Sequence, residues 1–175
     1  TRRLTKLTSD LMTLARSDSG QTMLQKEKFP LDEVVLAIAE PYVELADMQE
    51  KHMYLRPAFG ESLTADKSRV QQLLVILLDN ALKYTENQDS ITVTTRAEVN
   101  GVSIQVCDTG IGISETGTGR VFDRFYREDK ARSRSSGGSG LGLSIAKWIV
   151  EQHNGSIKIE HNQPKGTIVS VKLPC

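Results

Sequence analysis

The sequence predicts an α+β fold: a two-layer α/β sandwich whose mixed, mostly antiparallel sheet is covered on one face by helices, with one further helix at the N-terminus. Three observations carry this expectation. The alternating segments SITVTTRAEV and GVSIQVCD flank Asn100-Gly101, a hairpin dipeptide. A strong helical pattern runs from about Asp66 to Tyr84. A third helical segment, Leu141 to His153, is followed by two alternating runs, SIKIEH and TIVSVKL.

Taken in order, residues 1–19 carry Leu4, Leu7, Leu11 and Leu14 at spacings of three, four and three, a heptad seam on a helix. Two heptads fit equally an ordinary amphipathic helix docked on the same domain. SDSG then supplies helix-stop chemistry. A short strand is expected around Lys26 to Phe29, and a helix from near Pro30 carrying Val34, Val35, Ile38, Ala39, Val43 and Leu45. Pro41 inside that pattern is expected to kink or end the helix. Strands around Met53 to Arg56 and Ser62 to Ala65 precede the second helix, for which Asp66 is the N-cap. The third helix should stop at Asn154-Gly155. The division expected is residues 1–20 as a helical appendage and 21–175 as one domain.

Composition excludes several function classes. Lys plus Arg and Asp plus Glu both number 22, so no overall field draws the chain to nucleic acid or an anionic membrane. Any anion site must be local. Cys107 and Cys175 give neither metal spacing nor a disulfide framework, which fits a reducing, cytoplasmic setting. No apolar stretch approaches the ~20 residues that span a bilayer, and no secretory leader is read. The chain begins at Thr1 and is expected to be a piece of a longer protein.

Chemistry concentrates in four places. In LLVILLDNALKYT, residues Asn80, Lys83 and Tyr84 fall at i, i+3 and i+4 on one helical face. They offer an amide oxygen for a hard cation, an ammonium for phosphate and a phenol; the alternative is a helix leaving the core with polar residues facing water. DTGIGI follows a strand: Gly110 and Gly112 permit a tight turn, and Asp108 can accept a hydrogen bond from a ligand amine such as that of adenine. A glycine turn with a capping Asp is the plain alternative. GGSGLGLSI places glycines directly before a helix, whose free amides and dipole make an anion site; a flexible hinge is the equal alternative. It is neither a Walker loop nor a dinucleotide fingerprint. EDKARSRSSG reads as a mobile lid whose Lys130, Arg132 and Arg134 reach phosphate oxygens, or as a solvated charged loop. The fourth place, KGTIVSV, says nothing alone.

In order and spacing, LLDNALKYT, DTGIGI, VFDRFYR, GGSGLGLSI and KGTIVSV resemble the asparagine, first glycine, phenylalanine and second glycine boxes and the final Gly-Thr of the sensor histidine kinase ATP-binding domain. The resemblance covers about residues 26 to 174. Residues 1–19 resemble the second helix of the dimerisation and histidine-phosphotransfer domain that precedes it. The resemblance implies the Bergerat ATP-binding fold, with ATP and magnesium bound between the asparagine-box helix, the glycine boxes and the lid. Asn80 would hold magnesium, Lys83 and Tyr84 would contact phosphates and nucleoside, and Asp108 would read the adenine amine. Gly110 and Gly112 would shape the adenine side, with Ile113 in the same loop. Gly138, Gly140 and Gly142, with Leu141 among them, would present amides to phosphate. Thr167 would sit near adenine through a water. Phe122 and Phe125 would link the lid to the nucleotide and the helix bundle, and Arg127 would approach the phosphates, joining Asn80 and Lys83 as catalytic residues.

Two departures from the family pattern matter. Members often carry an asparagine four residues before the magnesium asparagine, where this chain has Ile76, and related hydrolases use a glutamate there to activate water. Isoleucine cannot be a general base, which disfavours hydrolysis by that route. The family's phosphoacceptor is a histidine followed by an acidic residue, whereas the three histidines here are followed by Met53, Asn154 and Asn162. The acceptor is therefore expected outside this chain, on the protein's own dimerisation domain. The implied partners are that histidine, a response-regulator receiver domain and a second copy in a homodimer; the implied location is the cytoplasmic side of a bacterial membrane sensor, with this part not inserted. A hydrolase and a nucleotide-sensing module without catalysis are the competing readings.

Overall fold

The computed structural model describes residues 11–12, 23–127 and 139–175. Leu11 and Met12 are helical and exposed, while Leu4, Leu7, Leu14 and the boundary at residue 20 lie outside the described residues. So do Lys130, Arg132, Arg134 and Gly138.

Strand β1, Lys26–Pro30, pairs antiparallel with β3, Ser62–Asp66, as a small separate sheet. Helix α1, Leu31–Met48, begins just after Pro30 and runs through Pro41. The expected break does not occur. Proline cannot bond the carbonyl of Ala37, but Pro41 and Ala37 are both exposed, so solvent can take the place of the lost bond. Buried Val34, Val35, Ala39 and Ala46 anchor the helix on both sides of the proline.

The main sheet contains β2 (His52–Pro57), β4 (Ser90–Glu98), β5 (Gly101–Asp108), β6 (Ser156–His161) and β7 (Thr167–Pro174), in the order β2-β4-β5-β7-β6. Only β2 and β4 run parallel; the other pairings are antiparallel. The β4–β5 turn is Val99-Asn100, one residue earlier than the expected dipeptide, because Glu98 already pairs with Gly101. Gly101 is needed within the strand: a Cβ there would lie 2.1 Å from the Leu173 carbonyl oxygen.

Period-two alternation sorts the sheet into two faces. Ile91, Val93, Val102, Ile104, Val106, Val169, Val171 and Leu173 point into the core, each contributing about 1.5–3 kcal/mol by burial. Helix α1, helix α2 (Lys67–Tyr84) and helix α4 (Gly142–Gln152) cover that face, with a one-turn helix α3 (Glu115–Thr118) between β5 and α4. Helix α2 supplies Leu73, Leu74, Leu77, Leu78 and Ala81 to the core. Its N-cap is Asp66, whose Oδ1 accepts the Arg69 amide at 3.1 Å, as expected.

The end of α4 is a Schellman turn. Asn154 takes a positive φ of 55°, its amide bonds Glu151 O at 3.0 Å, and the Gly155 amide bonds Val150 O at 2.9 Å. Among the described residues no helix is long and apolar enough to cross a membrane.

Candidate nucleotide site

The last turns of α2 form one wall of a cavity of about 730 Å³. Buried Leu77 and Ala81 join that wall to the core, and Asn80, Lys83 and Tyr84 line the cavity beside them. Lys83 Nζ stands 4.8 Å from the centre of the Tyr84 ring, so the ammonium rests on an aromatic face. The helix ends because Thr85 turns extended and its hydroxyl donates back to Ala81 O at 2.9 Å. Buried Lys51 caps the same end by donating to Leu82 O at 2.7 Å. Burial lowers its ammonium pKa, against the pull of Asp89 and Glu86.

A neighbouring residue fixes this wall from behind. The Tyr42 hydroxyl of α1 donates to Asp79 Oδ1 at 2.7 Å, and burial, followed by that carboxylate, raises the phenol pKa. Ile76, one turn before Asn80, is half-buried in the core and lies 3.4 Å from where a Cβ on Gly142 would stand. An apolar contact with the start of α4 occupies the place of the family's asparagine.

The opposite end is built by β5 and β7. Asp108 and Thr167 are register partners, as are Val106 and Val169, so alternation puts a carboxylate, a hydroxyl and two valines on the same inner face. Asp108 is 5% exposed. Its Oδ1 accepts the Gly110 amide at 2.9 Å and the Thr167 amide at 3.2 Å. Among the described residues no donor reaches Oδ2. Burial raises the Asp108 pKa; the two amides and Lys165 oppose this, and Asp89 adds to it. The outcome is a desolvated carboxylate with one oxygen committed to the protein and one open to a ligand donor.

Glycine is required where this loop touches its neighbours. A Cβ on Gly110 would lie 2.1 Å from Tyr84 O, the same oxygen that accepts the Ile111 amide at 3.0 Å. Gly166, at φ +113°, would place a Cβ 2.0 Å from Asp108 O.

Of the residues singled out from sequence, Asn80, Lys83, Tyr84, Asp108, Gly112, Ile113, Arg127 and Thr167 line one cavity. Gly110 stands behind the wall. Gly140 takes φ +72°, and its carbonyl accepts the Phe125 amide at 2.9 Å, tying the phenylalanine segment to the start of α4. Leu141 has its side chain fully buried in the core and its amide bonded to Ser139 Oγ at 3.3 Å. Gly142 opens α4, which no side chain caps. The apolar walls Ile111, Val121, Leu143 and Ile159, with Ser114 and Tyr126, were not singled out. For Val106 and Val169 the strand alternation already contained the signal; for Val121 and Tyr126 no local pattern did.

Volume, desolvated carboxylate and glycine contacts fit a nucleotide: a mostly apolar cavity of this size with a few polar groups suits a flat base. The family described as histidine kinase-, DNA gyrase B-, and HSP90-like ATPases matches residues 65–175. The chain belongs to that ATPase family. Two curated relatives are sensor proteins. CiaH of Streptococcus pneumoniae serotype 4 is 39% identical over 171 residues, which cover 95% of this chain and 37% of CiaH. SrrB of Staphylococcus aureus is 36% identical over 173 residues, covering 99% of this chain and 30% of SrrB. This ATPase-family chain thus spans about a third of the length of those relatives. Among solved structures, the mycobacterial sensor histidine kinase MprB aligns with TM-score 0.73 and 25% identity over 85% of this chain and 97% of that one. Full-length ShkA in complex with AMPPNP aligns with TM-score 0.86 over 98% of this chain and 35% of its own, a likeness of fold at 24% identity. Within the ATPase family, then, this is an ATP-binding catalytic domain of the sensor histidine kinase kind.

Proposed function

We propose that this domain binds magnesium-ATP in the cavity and transfers the γ-phosphoryl to a histidine outside the 175 residues, for relay to an aspartate of a response regulator. The observation that carries the reading is Asp108: a buried carboxylate with an open Oδ2, in the same cavity as Asn80 and Lys83. Asp108 accepts the adenine amine and Thr167 stands beside it; Gly110, Gly112 and Ile113 shape the base side. Lys83, Tyr84 and Arg127 meet the phosphates and nucleoside. Gly140 and Gly142, flanking Leu141, leave first-turn amides of α4 for phosphate, where the helix dipole favours negative charge. Lys130, Arg132, Arg134 and Gly138, outside the described residues, are assigned to the phosphates from their sequence alone.

Asn80 would hold magnesium through its amide oxygen, and the ion when bound would supply positive charge beside the transferred group. The transfer is a displacement: an imidazole nitrogen bonds phosphorus as the bond to the bridging oxygen breaks, and ADP leaves. The protein's share is positioning, and no group at Ile76 activates a competing water. The neighbour ThkA was solved in complex with the response regulator TrrA, which supports a receiver domain as the onward partner. Residues 1–20 are assigned to the dimerisation hairpin and 21–175 to the catalytic domain of a homodimeric membrane sensor.

The test is a chain extended upstream through the missing helix and incubated with labelled magnesium-ATP, with acid-labile label on protein and free phosphate followed together. Label that disappears on replacing the upstream histidine supports the kinase; phosphate release without label supports a hydrolase, and nucleotide binding with neither signal supports a sensing module. Asn80→Ala in that chain is expected to lower labelling by at least about a hundredfold, and retained labelling removes Asn80 from its role.

A further inference from the structure

The β6–β7 turn is fastened to the Asp108 end of the cavity at several points. Asn162 Nδ2 donates to Asp108 O at 2.7 Å, and the Asn162 amide bonds Gly166 O at 3.0 Å. Gly166 packs directly on the Asp108 carbonyl, and the next amide, Thr167, bonds Asp108 Oδ1. One side-chain ion pair spans from this turn to another loop: Lys165 Nζ lies 3.1 Å from Asp89 Oδ1. Asp89 is no ordinary surface partner. Its side chain is 11% exposed, and it also accepts the Glu86 amide at 2.8 Å and the Thr109 hydroxyl at 3.3 Å. Thr109 in turn accepts the Ser90 amide at 2.9 Å. Asp89 is thereby fixed to the α2–β4 loop and to the residue after Asp108, and Lys165 joins the β6–β7 turn to that fixed point.

We propose that Lys165 is a positioning residue for base selection: its ion pair with Asp89 holds the turn so that the Thr167 amide stays on Asp108 Oδ1 and Oδ2 stays open to the base. The proposal rests on the reading that Asp108 accepts the adenine amine. Two effects act in the same direction. If the turn loosens, the Thr167 amide leaves Oδ1 and the carboxylate rotates away from its set orientation. Loss of the ammonium also leaves Asp89 uncompensated beside a carboxyl that burial already pushes up. The protonated form so favoured donates to a carbonyl oxygen as well as it accepts from an amine, and discrimination falls.

The experiment measures affinity of the full chain for ATP and for inosine triphosphate, which carries an oxygen in place of the amine, by displacement of a fluorescent ATP analogue. The readout is the ratio of the two dissociation constants; a merely structural defect weakens both ligands and leaves the ratio alone. Lys165→Met is expected to lower the ratio about threefold, Asp108→Asn about tenfold or more, and Lys165→Arg, which keeps the charge, to preserve it. Should Lys165→Met keep the full ratio while Asp108→Asn loses it, Lys165 has no part in selection and the reading of Asp108 stands. Loss in both Lys165 variants would place the effect in packing and overturn the proposal. An unchanged ratio in Asp108→Asn would remove the Asp108 reading and the role of Lys165 with it.

Discussion

His153 Nε2 accepts the Asp66 amide at 3.1 Å, joining the end of α4 to the residue that caps the start of α2. The other ring nitrogen, Nδ1, sits 2.7 Å from Ile149 O, so the neutral tautomer with a proton on Nδ1 satisfies both contacts. At 3% exposure this ring is a structural bridge between two helices. His153→Ala is expected to cost about 2–4 kcal/mol, since it strands a buried amide and a carbonyl and opens a cavity; a thermal melt reads the loss. In a chain that carries a phosphoacceptor, the milder His153→Gln should leave acid-labile labelling in place. Label lost in that variant without loss of fold would contradict the structural role.

Asp108 gives a pH dependence with a definite sign. Burial holds its pKa above the ordinary aspartate range, the two backbone amides opposing. The carboxylate therefore dominates above that raised pKa, and the protonated form takes over as pH falls through it, earlier than for an exposed aspartate. Preference for ATP over inosine triphosphate should decline across the same window. Taking the ratio of the two affinities cancels the titration of the phosphates, which both ligands share. In Asp108→Asn the profile should be flat, and a wild-type ratio that stays constant down to the ordinary carboxylate range would contradict the assignment.

Asp89 has the opposite sign. Burial alone would raise it, but the Glu86 amide, Lys165 and Thr109 hold its pKa below the usual aspartate value. Its stabilisation is present above the unfolded-state pKa and is lost as pH falls through the folded one. At neutral pH Asp89→Ala should cost about 1–3 kcal/mol. The gap between variant and wild type should narrow in acid, where both lack the charge. Denaturant midpoints measured from pH 7 to pH 3 test this, and a gap that persists unchanged to pH 3 would show that the charge contributes nothing.

Much of the architecture was legible because it is local. The alternation of β5 and β7, the Asp66 cap and the Asn154-Gly155 stop each depend on a few neighbouring residues, and all three stand where the sequence puts them. Pro41 misled because the cost of a helical proline depends on what surrounds the lost hydrogen bond, and an exposed Ala37 carbonyl loses little. The hairpin turn falls one residue early because Glu98 pairs with Gly101, and the glycine at 101 serves a close approach to the Leu173 carbonyl of a strand some seventy residues away.

The candidate site divides in the same way. Residue types and spacing alone determined the chemistry on offer: an amide, an ammonium and a phenol on one helical face, a carboxylate at a strand end, and glycines before a helix. Only the tertiary structure decided which of these share a cavity, that Asp108 is desolvated with a single oxygen committed, and that Lys165 meets Asp89 across 76 positions of sequence. The reason is physical: covalent neighbours set local geometry, whereas burial and long-range pairing depend on how distant segments pack, which no short stretch of chain encodes.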